Sequence, residues 1–131
     1  IWCMKRIYML LENGIKPHVV FDGAQMPLKK DTESKRRDSR EDHLSKGRAF
    51  HAAGNSSVAA KHFQRAVRVS PSMVCMFIQM LRDEGITFTV APYEADAQLA
   101  FLARNGLVDA VISEDSDLLA FGCPKVIFKM D

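Results

Sequence analysis

Three short apolar runs in this chain each give way to carboxylates. His18-Val19-Val20-Phe21 leads into Asp22, Thr87-Phe88-Thr89-Val90 is soon followed by Glu94 and Asp96, and Val108 to Ser113 is followed by Asp115 and Asp117. Each run is rich in β-branched or aromatic residues and bounded by turn formers, as buried strands are. Helical patterns lie between them. Strands alternating with helices predict an α/β fold with a mostly parallel central sheet covered on both faces. In such sheets sites form beyond the C-terminal strand ends. The five acids are therefore expected to converge on one edge.

A cluster of five like charges is unstable unless cations neutralise it, because close carboxylates push one another to stay protonated. Oxygen donors without Cys or His favour magnesium or manganese over zinc. Two such ions about 3.5–4 Å apart can orient a water, polarise a phosphodiester and stabilise the leaving oxygen. Within each pair, Glu94 with Asp96 and Asp115 with Asp117, one residue separates the acids where strand gives way to helix, and Glu114 is expected to point elsewhere. Any one of these acids could instead serve as a helix cap or dipole partner. Five at three consecutive strand ends weaken that alternative.

The remaining elements follow from periodicity and punctuation. Residues 1 to 13 carry apolar side chains at helical spacing and stop at Asn13-Gly14. From Lys29 to Ser70 two charged helices are expected, broken near Gly54-Asn55-Ser56. Pro71 opens a helix through Leu81 that closes near Gly85. Another helix runs from about Glu94 to Arg104 and stops at Asn105-Gly106. A short helical turn over Leu118 to Phe121 and a final strand from Lys125 to Lys129 complete the pattern.

Charge is divided unevenly along this order. Residues 29–70 hold 11 Lys/Arg against 5 Asp/Glu, a net +6, while the rest of the chain is at −4. A basic insert in an acidic body suits a polyanion-binding element beside a cation-binding site. Lys29 and Arg36 are seven residues apart, on one side of a helix. Lys30, Arg37 and Arg40 extend the charge, and for Lys46, Arg48, Lys61, Arg65 and Arg68 a solvated helical face is the better reading. Because the helix begins soon after Asp22, its first turns are expected to stand over the metal edge.

With 131 residues and 47% apolar content, the chain is expected to form a single domain or a piece of one. It has no apolar run of membrane-spanning length and no signal-peptide layout, so a soluble, intracellular protein is expected. Neither end reads as a natural terminus. Cys3, Cys75 and Cys123 are expected to be buried free thiols, and His18, His43, His51 and His62 ordinary polar or packing residues, since none has ligand spacing.

The segments from Gly14 to Gly23, Val90 to Ala100 and Ser113 to Gly122 together resemble the flap endonuclease, or 5′-nuclease, superfamily over essentially the whole chain. Tyr93 and Asp96 stand where flap endonucleases usually have Ser and Glu, and Ser116 where they have Met, which sides with the exonuclease branch. The resemblance implies a PIN-like 5′-nuclease core with a basic helical arch, divided as residues 1–28 (first acidic strand), 29–70 (arch) and 71–131 (internal nuclease region). It implies a structure-specific nuclease of DNA repair, including mismatch repair and recombination, with 5′→3′ exonuclease and 5′-flap activity. Its cofactors would be two Mg²⁺, replaceable by Mn²⁺. Asp22, Glu94, Asp96, Asp115 and Asp117 would be metal ligands, directly or through water. Lys29 and Arg36 would act on the scissile phosphate, with Lys30, Arg37 and Arg40 also on DNA. The implied partners are DNA with a free 5′ end, nick or flap, and mismatch-repair proteins, in the nucleus.

Two departures bear on that transfer. The family's first metal-binding Asp is expected upstream, with the duplex-separating wedge, and its last acidic ligand and potassium-binding clamp downstream, so these residues alone are expected to be inactive. Leu28 and Ser34 replace small or basic residues near the arch's basic pair. Two other readings compete: a phosphatase with Asp115 as nucleophile and Asp117 as acid, which leaves the basic arch without a role, and a non-catalytic DNA-binding or scaffold module.

Overall fold

The computed structural model describes residues 2–26 and 29–129. Its elements are α1 (Trp2–Glu12), β1 (His18–Phe21), α2 (Lys30–Ala52), α3 (Ser56–Ala66), α4 (Pro71–Asp83), β2 (Thr87–Val90), α5 (Ala95–Arg104), β3 (Val111–Ile112), α6 (Asp117–Ala120) and β4 (Val126–Ile127). They form two compact units, residues 1–25 with 78–131 and residues 26–77, and the division falls within α4.

In the first unit, α1 buries Met4 and Ile7, one turn apart, and leaves its other side to solvent. At its end Gly14 takes φ +73, Gly14 N–H returns to Leu11 C=O and Ile15 N–H to Leu10 C=O. Gly85, at φ +66, ends α4 in the same way through Ile86 N–H to Leu81 C=O. A left-handed residue satisfies the last helical carbonyls and turns the chain sharply, which suits glycine. Each of these two turns leads into a strand.

β1 and β2 pair in parallel with His18 opposite Thr87 and Phe21 opposite Val90. The His18 ring bridges two threonines of β2, Nδ1 to Thr87 Oγ1 at 2.8 Å and Nε2 to Thr89 Oγ1 at 2.9 Å. Both threonines lie on one face, so the bridge fits this register alone; a one-residue slip would turn the partners away. Phe21 and Phe88 meet edge to face at 6.1 Å.

β3 and β4 form a second parallel pair, Val111 opposite Val126 and Ile112 opposite Ile127. Their core is Val111, Leu118, Ala100, Ala103 and Cys123, with Leu99, Val108 and Val126 packed against it. Two alanines on α5 let that helix approach the strand closely.

Parallel pairing and alternation of helix and strand agree with the sequence, but one continuous sheet does not. Among the described residues there are two separate two-stranded sheets. β3 is also shorter than Val108 to Ser113, and β4 shorter than Lys125 to Lys129. Leu107 N–H closes back on Leu102 C=O to terminate α5, so the residues before Val111 are spent on a helix end. A strand extends only as far as its partner's ladder, and here each partner limits the other.

In the second unit α2 and α3 pack as a helical hairpin, with Asn55 accepting the N–H of Val58 as N-cap of α3. Gly47 lies under Phe63: a Cβ there would stand 2.7 Å from the ring, so the helices approach where a side chain is missing. Ala59 is fully buried. His43 and His62 meet Nδ1 to Nδ1 at 3.0 Å, one donating and the other accepting, and Phe50 stacks on His62 at 5.4 Å.

The thiols differ from expectation. Cys123 is buried, but Cys3 and Cys75 are exposed, and all three are free. Cys3 precedes the buried Met4 by one residue, which on a helix rotates it off the core side.

Candidate metal centre

Asp22 leaves the end of β1, and its Oδ1 accepts the N–H of Ala95, the first residue of α5, at 2.8 Å. The chain on either side is fixed by Ala91 N–H to Phe21 C=O at 2.9 Å, Gly23 N–H to Tyr93 C=O at 2.6 Å and Ala24 N–H to Pro92 C=O at 3.0 Å. At Gly23 a Cβ would fall 1.7 Å from the Ala91 carbonyl oxygen. Only glycine permits this approach, and the approach carries Asp22 to the start of α5.

Glu94 is the N-cap residue of α5 but makes no side-chain cap, and Asp96 lies in the first turn. The turn after β3 is similarly wound. Ser113 Oγ accepts the Asp115 N–H at 3.0 Å, and Asp115 Oδ1 accepts the Asp117 N–H at 2.9 Å, where α6 begins. The amide dipoles at both helix starts favour negative charge.

Asp96 unites the set. Its carboxyl is held above the ordinary 3.8 first by desolvation, then by the charges of Asp115, Asp22, Asp117 and Glu94 in that order. One partly buried carboxyl thus feels the other four. Yet among the described residues no three Asp, Glu, His or Cys side chains close around a point that one ion could occupy. The two observations agree, because Coulomb repulsion reaches well beyond a coordination bond and exposed like charges splay apart. The donors are all carboxylate oxygens, with no His or Cys among the groups that act on Asp96, and that set fits a hard divalent cation.

The predicted basic residues belong to the second unit. Lys29 is the N-cap residue of α2, and Arg36, Arg37 and Arg40 lie along it. Arg36 is exposed. Arg40 is tied to Glu33 at 2.6 Å and to the Arg36 carbonyl at 3.0 Å, and Arg37 lies 3.8 Å from Asp38. Leu28 and the side chain of Lys30 lie outside the described residues.

Residues that sequence reasoning missed are the ones that hold the acids. Gly23 gave no signal beyond its place after Asp22. The Ser113 contact was foreshadowed by the Ser-x-Asp spacing, since a serine commonly bonds the amide two residues on.

The sequence itself identifies the class. Residues 1–43 match the XPG N-terminal domain and residues 85–131 the XPG I-region, together well over half the chain, so it belongs to the XPG family. Over 130 residues, 99% of this chain, it is 50% identical to Exonuclease 1 of Oryza sativa subsp. japonica and 43% identical to Exodeoxyribonuclease 1 of Schizosaccharomyces pombe. It spans 16% and 23% of the length of those two relatives. Among solved structures, the catalytic core of Rad2 in complex with DNA substrate is 31% identical with a TM-score of 0.69, over 97% of this chain and 33% of that one. Flap endonuclease-1 from Methanococcus jannaschii is 35% identical with a TM-score of 0.62, over 95% of this chain and 39% of that one.

Proposed function

We propose that the chain is part of a structure-specific 5′-nuclease of DNA repair, acting as a 5′→3′ exonuclease and 5′-flap endonuclease in the manner of exonuclease 1. The observation that carries this reading is that burial and the charges of four other acids, Asp115, Asp22, Asp117 and Glu94, all of which follow the ends of β1, β2 and β3, hold the Asp96 carboxyl above its ordinary value. A PIN-like core with one parallel sheet, completed by other parts of the longer protein, would accommodate the two strand pairs.

Asp22, Glu94, Asp96, Asp115 and Asp117 would hold two Mg²⁺, or Mn²⁺ in their place, directly or through water. When bound, such ions supply a water nucleophile at neutral pH and charge stabilisation for the phosphodiester. The protein's part is to keep the acids in one field. Asp22 and Asp115 each give one oxygen to a backbone amide and keep the other. Lys29 and Arg36 would hold the phosphate that is cut, where charge develops. Lys30, Arg37 and Arg40 would meet neighbouring phosphates, Arg40 less so because Glu33 already engages it. Such contacts set position rather than sequence preference.

The test is cleavage of 5′-labelled duplex, nicked and flap DNA by the full-length protein in magnesium, beside an Asp115→Ala variant. Products released from the 5′ end by the parent and not by the variant support the reading. Cleavage by both removes the carboxylate site from it. The same reading places the protein in the nucleus with mismatch-repair proteins, which imaging and co-purification of a tagged full-length protein would check.

A further inference from the structure

Glu114 stands beside Asp115 in the same acidic turn, but its environment is different. Its Oε1 accepts the backbone N–H of Lys129 at 3.0 Å. Lys129 follows β4 and has φ 54, the one non-glycine residue with positive φ among those described. L residues rarely adopt that conformation and retain it where their surroundings hold it.

Four links fix the turn in sequence. Ser113 N–H joins β4 at the Ile127 carbonyl, 3.1 Å away. Ser113 Oγ takes the Asp115 N–H, Glu114 takes the Lys129 N–H, and Asp115 takes the Asp117 N–H. Where the β3–β4 ladder ends, the Glu114 carboxylate accepts the next donor on the β4 side. Of the three side-chain links, it alone ties the turn to a distant segment.

We infer that Glu114 is a positioning residue for Asp115 and Asp117: it clamps the segment after β4 against the turn that carries them, so that both acids face the cluster at fixed spacing. The inference rests on the nuclease reading above. Removing the clamp would leave the turn held at its two ends, by Ser113 N–H on β4 and by the buried Leu118, with no tie between them to the β4 side, and the two acids would meet a cation with more freedom to lose. Partners one step removed from metal ligands commonly change metal affinity by about 10–100-fold when lost.

The experiment compares Glu114→Ala with Glu114→Gln in the full-length protein. A glutamine carbonyl can accept the same N–H, so Glu114→Gln should need magnesium within about threefold of the parent, while Glu114→Ala should raise the half-saturating concentration about tenfold with DNA affinity unchanged. Without substrate or metal, amide exchange at Asp115, Asp117 and Lys129 should quicken in Glu114→Ala and not in Glu114→Gln. A general loss of stability would not produce a magnesium shift rescued by glutamine. Unchanged magnesium dependence and exchange in Glu114→Ala overturns the inference, as does a Glu114→Gln variant equally impaired. An Asp115→Ala control that still cleaves would overturn the nuclease reading instead, and exchange alone would then decide the clamp.

Discussion

Asp22 at the end of β1 accepts the N–H of Ala95 at the start of α5, 2.8 Å away, across the whole of the second unit in sequence. Capping a helix and holding a cation are not rival roles for this residue. The capping oxygen draws the carboxylate to the dipole at the helix start, and its second oxygen remains for another partner.

For Asp115→Ala and Asp117→Ala in the full-length protein, cleavage should be abolished while DNA affinity stays within a few-fold. These acids belong to the field around Asp96 rather than to a basic surface. Quench-flow assays and equilibrium binding in magnesium check the two quantities separately. Retained turnover would sink the metal assignment.

Lys29→Ala and Arg36→Ala should slow the single-turnover rate at saturating enzyme more than they weaken binding to DNA. A donor aimed at one reacting phosphate contributes at the transition state, whereas one among many phosphate contacts contributes to affinity and its salt dependence. An unchanged rate with weaker binding would return both to an ordinary solvated helix face.

The Asp96 carboxyl gives a pH dependence with a definite sign. Its folded value lies above the ordinary 3.8, because desolvation and four neighbouring acids disfavour the charge. A raised folded value means a stabilising contribution that is complete below 3.8 and lost as pH rises through the folded value. In chelator, Asp96→Asn should therefore melt higher than the parent at neutral pH. The gap should close on acidification and narrow when magnesium is added. Thermal scans across pH, read as the difference between the two proteins, check this; a gap independent of pH would refute it.

Gly23→Ala should destabilise the first unit by at least about 1–3 kcal/mol, the usual cost of forcing an atom into packed structure. The added methyl would fall 1.7 Å from the Ala91 oxygen, which is backbone and cannot rotate away. Urea unfolding measures the loss. Gly47→Ala should cost less, because the obstacle is the Phe63 side chain.

Much of the fold was legible because it is local. β1 and β2 begin and end where their β-branched runs do, and the helix stops at Gly14, Gly54, Gly85 and Gly106 are written as Gly after the last helical turn. The places of the acids in chain order were legible for the same reason: Asp22 follows β1, Glu94 and Asp96 stand at the start of α5 after β2, and Asp115 and Asp117 lie between β3 and the start of α6. What could not be read depends on chain segments far apart in sequence. The length of β3 is set by β4, the His43–His62 contact by the helix pairing, and the exposure of Cys3 by which side of α1 meets the core. Spacing in one dimension carries none of these. Glu114 lies between the two cases: its alternation with Asp115 and Asp117 set it apart in the sequence, while its partner, the Lys129 N–H after β4, depends on the β3–β4 pairing.

The parallel pairing of β1 with β2 has a consequence for how such a chain tolerates change. α2, α3 and α4 lie between the two strands in sequence, yet the β1–β2 ladder, the His18 bridge and the Asp22 cap are all made within the first unit. The intervening segment is a closed loop on that body. The entropy of closing a loop grows only with the logarithm of its length, about 0.6 kcal/mol for each doubling. The hairpin could lengthen, shorten or be recast in sequence at little thermodynamic penalty to the acidic body, which keeps its ladder, its histidine bridge and its cap whatever is inserted between the strands.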